Sequence, residues 1–235
     1  MNTPGEKVLV IMPAYNEEAS IGAVIDDVRR NAPQAGIIVV NDGSIDETES
    51  IASSKGVKVL THPYNMGIGA AMQTGYIYAL LNGYDVAVQV DSDGQHPADQ
   101  IEILVRTLLE NRADIVIGSR FLGGPGYRPT FARGIGITIF SRVVSAVLRT
   151  RLTDTTSGFR ASGKRTIGFL SATYPEDYPE VESLVLLHKK GFSIMEAPVR
   201  MQRRSGGHSS ISTADSVYYM IKVLLAIFVD LLKKV

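Results

Sequence analysis

The sequence predicts an α/β fold, a mostly parallel sheet covered by helices on both faces. Three observations predict it. Short β-branched apolar runs alternate with segments of helical periodicity through the first half of the chain. No low-complexity linker and no internal repeat interrupts that alternation. The notable polar clusters follow predicted strands, and open α/β sheets gather their ligands at those carboxyl ends.

Residues 7–12 (KVLVIM) form a buried strand that ends at Pro13. Residues 17–30 have helical spacing, with Ile21, Val24, Ile25 and Val28 on one face and Asn16 or Ser20 available as a cap. Strands follow at 36–40, 57–60, 85–90 and 114–117, separated by helices at 46–54, 67–81 and 97–111. Further on, residues 131–149 read as an apolar helix punctuated by Arg133, Arg142 and Arg149. That helix is either buried in the core or laid on a membrane surface, with arginines reaching lipid phosphates. A helix ending near His188 precedes a strand at 193–199.

The chain has 235 residues, 45% of them hydrophobic and 20% charged, enough to bury a core without disulfides or a structural metal. Without cysteine it has no disulfide framework, no thiolate metal site and no thiol nucleophile. Its formal charge is zero, which argues against a nucleic-acid partner. The charge is unevenly placed. Residues 1–117 carry 7 basic and 16 acidic side chains, whereas residues 118–165 carry 9 basic ones against Asp154 alone. Such a basic segment fits an anionic partner, a phosphate or an acidic membrane surface; a solvated face is the alternative. A polar N-terminus and the short apolar run at 8–12 give no expectation of a signal peptide. The most apolar stretch, 217–232, is broken by Lys222 and Asp230, so no spanning helix is expected.

The polar clusters carry the chemistry. After the first strand come Pro13-Ala14-Tyr15-Asn16-Glu17, and after the second Asn41-Asp42-Gly43-Ser44-Ile45-Asp46. Asp42 and Asp46 are equally well explained as helix N-caps. After the fourth strand come Asp91-Ser92-Asp93-Gly94-Gln95-His96-Pro97. Alternating carboxylates on such a turn can aim oxygens at one hard cation, Mg²⁺ or Mn²⁺, with Gln95 as a further oxygen ligand. His96, alone before a proline, reads as structural.

These residues resemble family 2 glycosyltransferases with the GT-A fold, and among them the dolichyl- and polyprenyl-phosphate glycosyltransferases. The matching motifs stand in the family's order: P-A-Y-N-E at 13–17, N-D-G-S-x-D at 41–46, N-M-G at 65–67, D-S-D-G-Q-H-P at 91–97, G-S-R at 118–120 and D-T-T-S-G-F-R at 154–160. The resemblance implies a catalytic unit over 1–212, with a nucleotide-sugar half (1–120) and an acceptor half (121–212). It implies that Pro13, Ala14, Tyr15, Glu17, Asp42, Asn65, Gly67, Asp91, Ser92, Asp93 and Arg120 bind the nucleotide-sugar, UDP ahead of GDP. Asn41 stands where the family usually has a first aspartate. Asp91, Asp93 and Gln95 are implied to hold Mg²⁺ or Mn²⁺. Gly67 serves either a close backbone approach or the helix start.

For the acceptor half, the basic punctuation of 131–149 offers Arg133 to lipid phosphate, and the resemblance implies that Arg160, Arg203 and Arg204 meet phosphate; Arg160 could instead pair with a structural carboxylate. Glu182, then Asp177, are the acids expected near the sugar, although acid clusters are usually solvated. With Asp93 and Arg204 they complete the implied catalytic set. Residues 201–212 resemble the family's acceptor loop or are a surface loop. Residues 213–235 are expected to lie in a membrane interface, dock on a small membrane protein or a second copy, or pack on their own domain. The reading is an inverting transferase, peripheral on the cytoplasmic face of the membrane, that moves a sugar to undecaprenyl or another polyprenyl phosphate for cell-envelope glycan synthesis. The alternatives are a family 2 enzyme with a glycan hydroxyl acceptor and a non-enzymatic nucleotide-sugar-binding subunit of a membrane complex.

Overall fold

A computed structural model of the protein describes residues 5–122, 141–147, 149–176 and 179–202. Its strands are β1 (Val8–Ala14), β2 (Gly36–Asn41), β3 (Lys58–Thr61), β4 (Val86–Gln89), β5 (Ile115–Ser119), β6 (Arg160–Gly163) and β7 (Ile194–Pro198). Its helices are α1 (Ile21–Asn31), α2 (Thr48–Ser54), α3 (Ile68–Leu81), α4 (Ile101–Glu110), α5 (141–147), α6 (Lys164–Ala172) and α7 (Pro179–Lys189). The strands form one seven-stranded sheet in the order β3-β2-β1-β4-β6-β5-β7. Pairing is parallel throughout except at β6, which runs antiparallel to both β4 and β5.

Burial on both faces explains why β1 is apolar at almost every position. Val8, Val10 and Met12 enter one core with the buried face of α1 and with Leu104 and Val105 of α4. Leu9 and Ile11 enter the opposite core with Met72 and Tyr76 of α3 and Leu170 of α6. The face of α1 expected from periodicity, Ile21, Val24, Ile25 and Val28, is the buried one. Each such side chain contributes roughly 1.5–3 kcal/mol on leaving water. A smaller core joins Ile117, Val144 and Leu152 to Val181, Leu184 and Val185 of α7.

Several boundaries differ from expectation. β1 continues through Pro13, because β4 pairs with it only as far as Ile11↔Gln89 and asks nothing of the proline's missing N–H. Helix α1 begins at Ile21, four residues later than its periodicity predicts, with the preceding residues forming a turn. β6 and α6 were not expected from the sequence. Among the described residues no helix is long and apolar enough to cross a membrane. The expectations for 123–140, including most of the 131–149 helix, and for 203–235 lie outside the described residues.

Candidate active site

The carboxyl ends of β1, β2 and β4 open into a cleft of about 590 Å³. Pro13, Ala14, Tyr15, Glu17, Asp42, Asn65, Asp91, Ser92 and Asp93 all line it, joined by Asn16, Gln89 and Glu180.

Each wall is fixed by local hydrogen bonding. Asn16 adopts φ 54°, a left-handed conformation that asparagine tolerates. From there its Oδ1 accepts from the N–H of Ile45 (3.0 Å), while its own N–H donates to Ser44 Oγ (3.0 Å). The Glu17 N–H donates to Thr48 Oγ1 (2.8 Å), and Ser20 Oγ donates to the Glu17 carboxylate (2.8 Å). The loops after β1 and β2 are thereby locked together. On the other side, Ser92 Oγ donates to the Pro13 carbonyl (2.7 Å) and ties the β4 turn to β1.

Asp46 is not the N-cap of α2, which is Glu47; it stands one residue earlier and accepts from the N–H groups of Thr48 (3.0 Å) and Glu18 (3.1 Å). Asp42 caps no part of α2. It accepts from the N–H groups of Met66 (2.9 Å) and Gly67 (2.8 Å) ahead of α3, and from His62 Nδ1 (2.8 Å). Asn41 does not line the cleft. Its amide serves Ser44, Glu49 and Thr61 at 3.1–3.5 Å, so the residue in the family's first-aspartate place braces the turn after β2 from behind the cleft wall.

The β4 turn carries the charge. Asp91 is about one-third exposed and accepts from Gln89 Nε2 (3.1 Å). The Asp91 N–H donates to His96 Nδ1 (3.0 Å), which puts the ring proton on Nε2, 3.6 Å from Asp91 Oδ2. His96 stacks on Phe159 at 4.8 Å, so it is structural, as expected, and it orients Asp91. Asp93 accepts from the N–H of Gln95 (2.9 Å). Glu180 enters the cleft from α7. Burial raises its pKa above the ordinary 4.5; the buried Arg160 opposes that shift and Asp91 adds to it.

No group of three or more His, Cys, Asp or Glu among the described residues is arranged to hold a metal. Two aspartates converging on one cleft still fit a magnesium-like ion. Such ions take one or two carboxylates and complete their shell with water and substrate phosphate.

Several expectations need correction. Gln95 does not line the cleft; its contribution to the turn is the backbone N–H given to Asp93. Gly67 does not line it either. A Cβ there would meet no protein atom within 4 Å, and the φ of 93° at the start of α3 is what calls for glycine. Arg120 is clamped on Asp154 through Nε (2.6 Å) and Nη2 (2.7 Å) and is absent from the cleft wall. Arg160 is 3% exposed and donates to the carbonyls of Ser157 and Thr155 and to Ser183 Oγ, so it neither reaches an acceptor nor pairs directly with a carboxylate. Glu182 is replaced in the cleft by Glu180. Asp177, Arg133, Arg203 and Arg204 lie outside the described residues. Sequence reasoning saw Glu180 only as one member of the acid cluster at 176–182 and chose Glu182 and Asp177 over it; it passed over His62 altogether. The apolar pattern of α7 was the signal available for the first; nothing marked the second.

Comparison with known proteins agrees with this arrangement. The family model described as "Glycosyl transferase family 2" matches residues 9–167. A polyprenol monophosphomannose synthase of Mycolicibacterium smegmatis is 30% identical over 94% of this chain and 86% of its own. An undecaprenyl-phosphate mannosyltransferase of Micrococcus luteus is 32% identical over 88% of each. The fold is shared with glucosyl-3-phosphoglycerate synthase of Mycobacterium tuberculosis, crystallised with Mn²⁺, UDP and phosphoglyceric acid, at a TM-score of 0.72 and 22% identity over 96% of this chain and 78% of that one. With the motifs of β1, β2 and β4 gathered at one cleft in a sheet of this topology, the chain belongs to glycosyl transferase family 2.

Proposed function

We propose that the protein transfers a sugar from a nucleotide-sugar, UDP-linked ahead of GDP-linked, to a polyprenyl phosphate with inversion at the anomeric carbon. The observation that carries the reading is the cleft itself: Asp91 and Asp93 share it with Asp42 and Asn65 in a family whose named relatives include two polyprenyl-phosphate mannosyltransferases. A crystallised neighbour with UDP supports the nucleotide.

When bound, Mg²⁺ or Mn²⁺ supplies Lewis-acid neutralisation of the donor diphosphate. Asp91 and Asp93 hold it, and Gln89 and His96 orient Asp91. Asp42, Asn65 and the 13–17 segment seat the nucleoside. An acceptor phosphate oxygen bonds the anomeric carbon from the open face as the bond to the diphosphate breaks, and nucleoside diphosphate departs. A phosphate is already ionised near neutrality, so no strong base is required, and Glu180 orients the sugar. Arg203 and Arg204 are assigned to phosphate on the acceptor-loop resemblance, and Arg133 on its place in the basic 118–165 segment. Residues 213–235 are assigned to peripheral attachment at the cytoplasmic membrane face, through lipid, a small membrane protein or a second copy.

The test is nucleoside diphosphate release from a panel of sugar nucleotides with Mn²⁺ and undecaprenyl phosphate in detergent, beside Asp93→Ala. The expected result is release that needs lipid, metal and Asp93, with the sugar recovered in lipid. Release without any lipid acceptor, or none from any donor by folded protein, sinks the proposal. The burial of Glu180 favours a second reading, transfer to a glycan hydroxyl with Glu180 as base. There, Glu180→Gln lowers turnover on a hydroxyl acceptor by about 10²–10⁴-fold.

A further inference from the structure

We infer that His62 is a positioning residue for the donor cleft: it fixes the Asp42 carboxylate, and through it the 65–67 backbone, in the shape that a nucleotide meets. The inference rests on reading the cleft as a nucleotide site.

His62 follows β3 and does not line the cleft. Its ring stands behind Asp42, with Nδ1 2.8 Å from Asp42 Oδ1 and Nε2 2.9 Å from Thr74 Oγ1. The two side chains are only 11% and 5% exposed. An ionised carboxylate is an acceptor alone, so the Nδ1 proton lies between the pair; in the neutral ring Nε2 then accepts from Thr74. The imidazole is held at both nitrogens, and the backbone N–H of the same residue is given to the Asn41 carbonyl (2.9 Å).

Asp42 needs that support. A carboxylate this buried has to be hydrogen-bonded at nearly every position. It accepts from His62, the Met66 N–H and the Gly67 N–H. Asn65 and Ile68, on either side of that backbone pair, line the cleft, so rotation of Asp42 reshapes the wall. The order carboxylate–imidazole–hydroxyl matches a nucleophilic relay, yet Thr74 sits within α3 and off the cleft wall, so the array acts by position.

The experiment titrates UDP and GDP with Mn²⁺ into the full chain by calorimetry, for wild type, His62→Ala, His62→Asn and His62→Gln, with thermal melts in parallel. The asparagine amide places an N–H near Nδ1; the longer glutamine amide does not. Loss of one hydrogen bond to a charged group predicts at least about tenfold weaker binding by the Ala and Gln variants and recovery to within about threefold by Asn. Donor KM is expected to rise more than kcat falls. If His62→Ala does not fold, Asn against Gln carries the comparison. Equal affinity of wild type and His62→Ala, or of the Asn and Gln variants, overturns the inference alone. No nucleotide binding by folded wild type overturns the reading of the cleft and this inference with it.

Discussion

Asp154→Ala is expected to destabilise the protein by about 3–5 kcal/mol, the usual result of removing one member of a buried ion pair. Asp154 is fully buried, and Arg120 is 15% exposed. The carboxylate accepts from Arg120 N (3.1 Å), Nε (2.6 Å) and Nη2 (2.7 Å), and from Thr156 Oγ1 (3.3 Å). Each charge-assisted bond is worth about 1.5–3 kcal/mol, but they share one carboxylate and do not add, so the whole-pair figure governs. At about 2–4 °C per kcal/mol for a chain of this size, the melting temperature should fall by about 6–20 °C. Calorimetry and urea unfolding of Asp154→Ala, Arg120→Ala and Arg120→Ala/Asp154→Ala measure the coupling, with the double variant Arg120→Met/Asp154→Leu beside them. The double variant is expected to be more stable than either alanine single, because neither charge is then stranded. It should also keep wild-type affinity for UDP, since Arg120 lies off the cleft wall. A loss below about 1 kcal/mol for Asp154→Ala, or strictly additive costs, would refute the reasoning.

Three further outcomes follow from the same geometry. Gly158→Ala places a Cβ 2.7 Å from Gln89 Nε2 and 3.4 Å from Asp91 Oδ2, so metal-dependent turnover should fall well beyond the about 1–3 kcal/mol of overpacking seen in a melt; wild-type turnover would refute it. Gly67→Ala, at φ 93° and ψ 159°, should cost about 1–3 kcal/mol of stability, read by urea unfolding, because only glycine occupies that region freely. Burial raises the Glu180 pKa above 4.5, so the native state binds that proton more tightly than the unfolded chain does. Its contribution is therefore fully present below about pH 4.5 and is lost as pH rises through the raised native pKa. Glu180→Gln should flatten that part of the stability–pH curve; an unchanged curve would refute the assignment.

The strands of the parallel part of the sheet were legible because burial on both faces demands continuous β-branched runs, as in β1, β2 and β5. β6 was not, because Arg-Ala-Ser-Gly carries none of that signal. It is a strand because β4 and β5 stand on either side with open edges, a condition set by tertiary structure. The site divides in the same way. The residues after β1, β2 and β4 were legible because a strand end fixes where the next side chains go, and Asp91 and Asp93 share the cleft on that account. Glu180 and Glu182 are separated by orientation alone. Val181, Leu184, Val185 and Leu187 define the buried side of α7, and Glu182 stands about 200° around the helix from Glu180, away from the centre of that side. The wheel held the answer that motif matching passed over. Arg120 and Arg160 show the converse. Both stand in motifs beside the site, and a basic side chain there matches a phosphate ligand equally well whether it reaches the cleft or closes on its own loop. Only the positions of Asp154 and of the 155–157 carbonyls decide between these, and both arginines close on the protein. In the described part of the cleft the charged side chains of the wall are therefore carboxylates, those of Glu17, Asp42, Asp91, Asp93 and Glu180. A diphosphate can settle against such a wall only with a cation between them, which ties nucleotide affinity to the metal more firmly than the basic motifs alone would suggest.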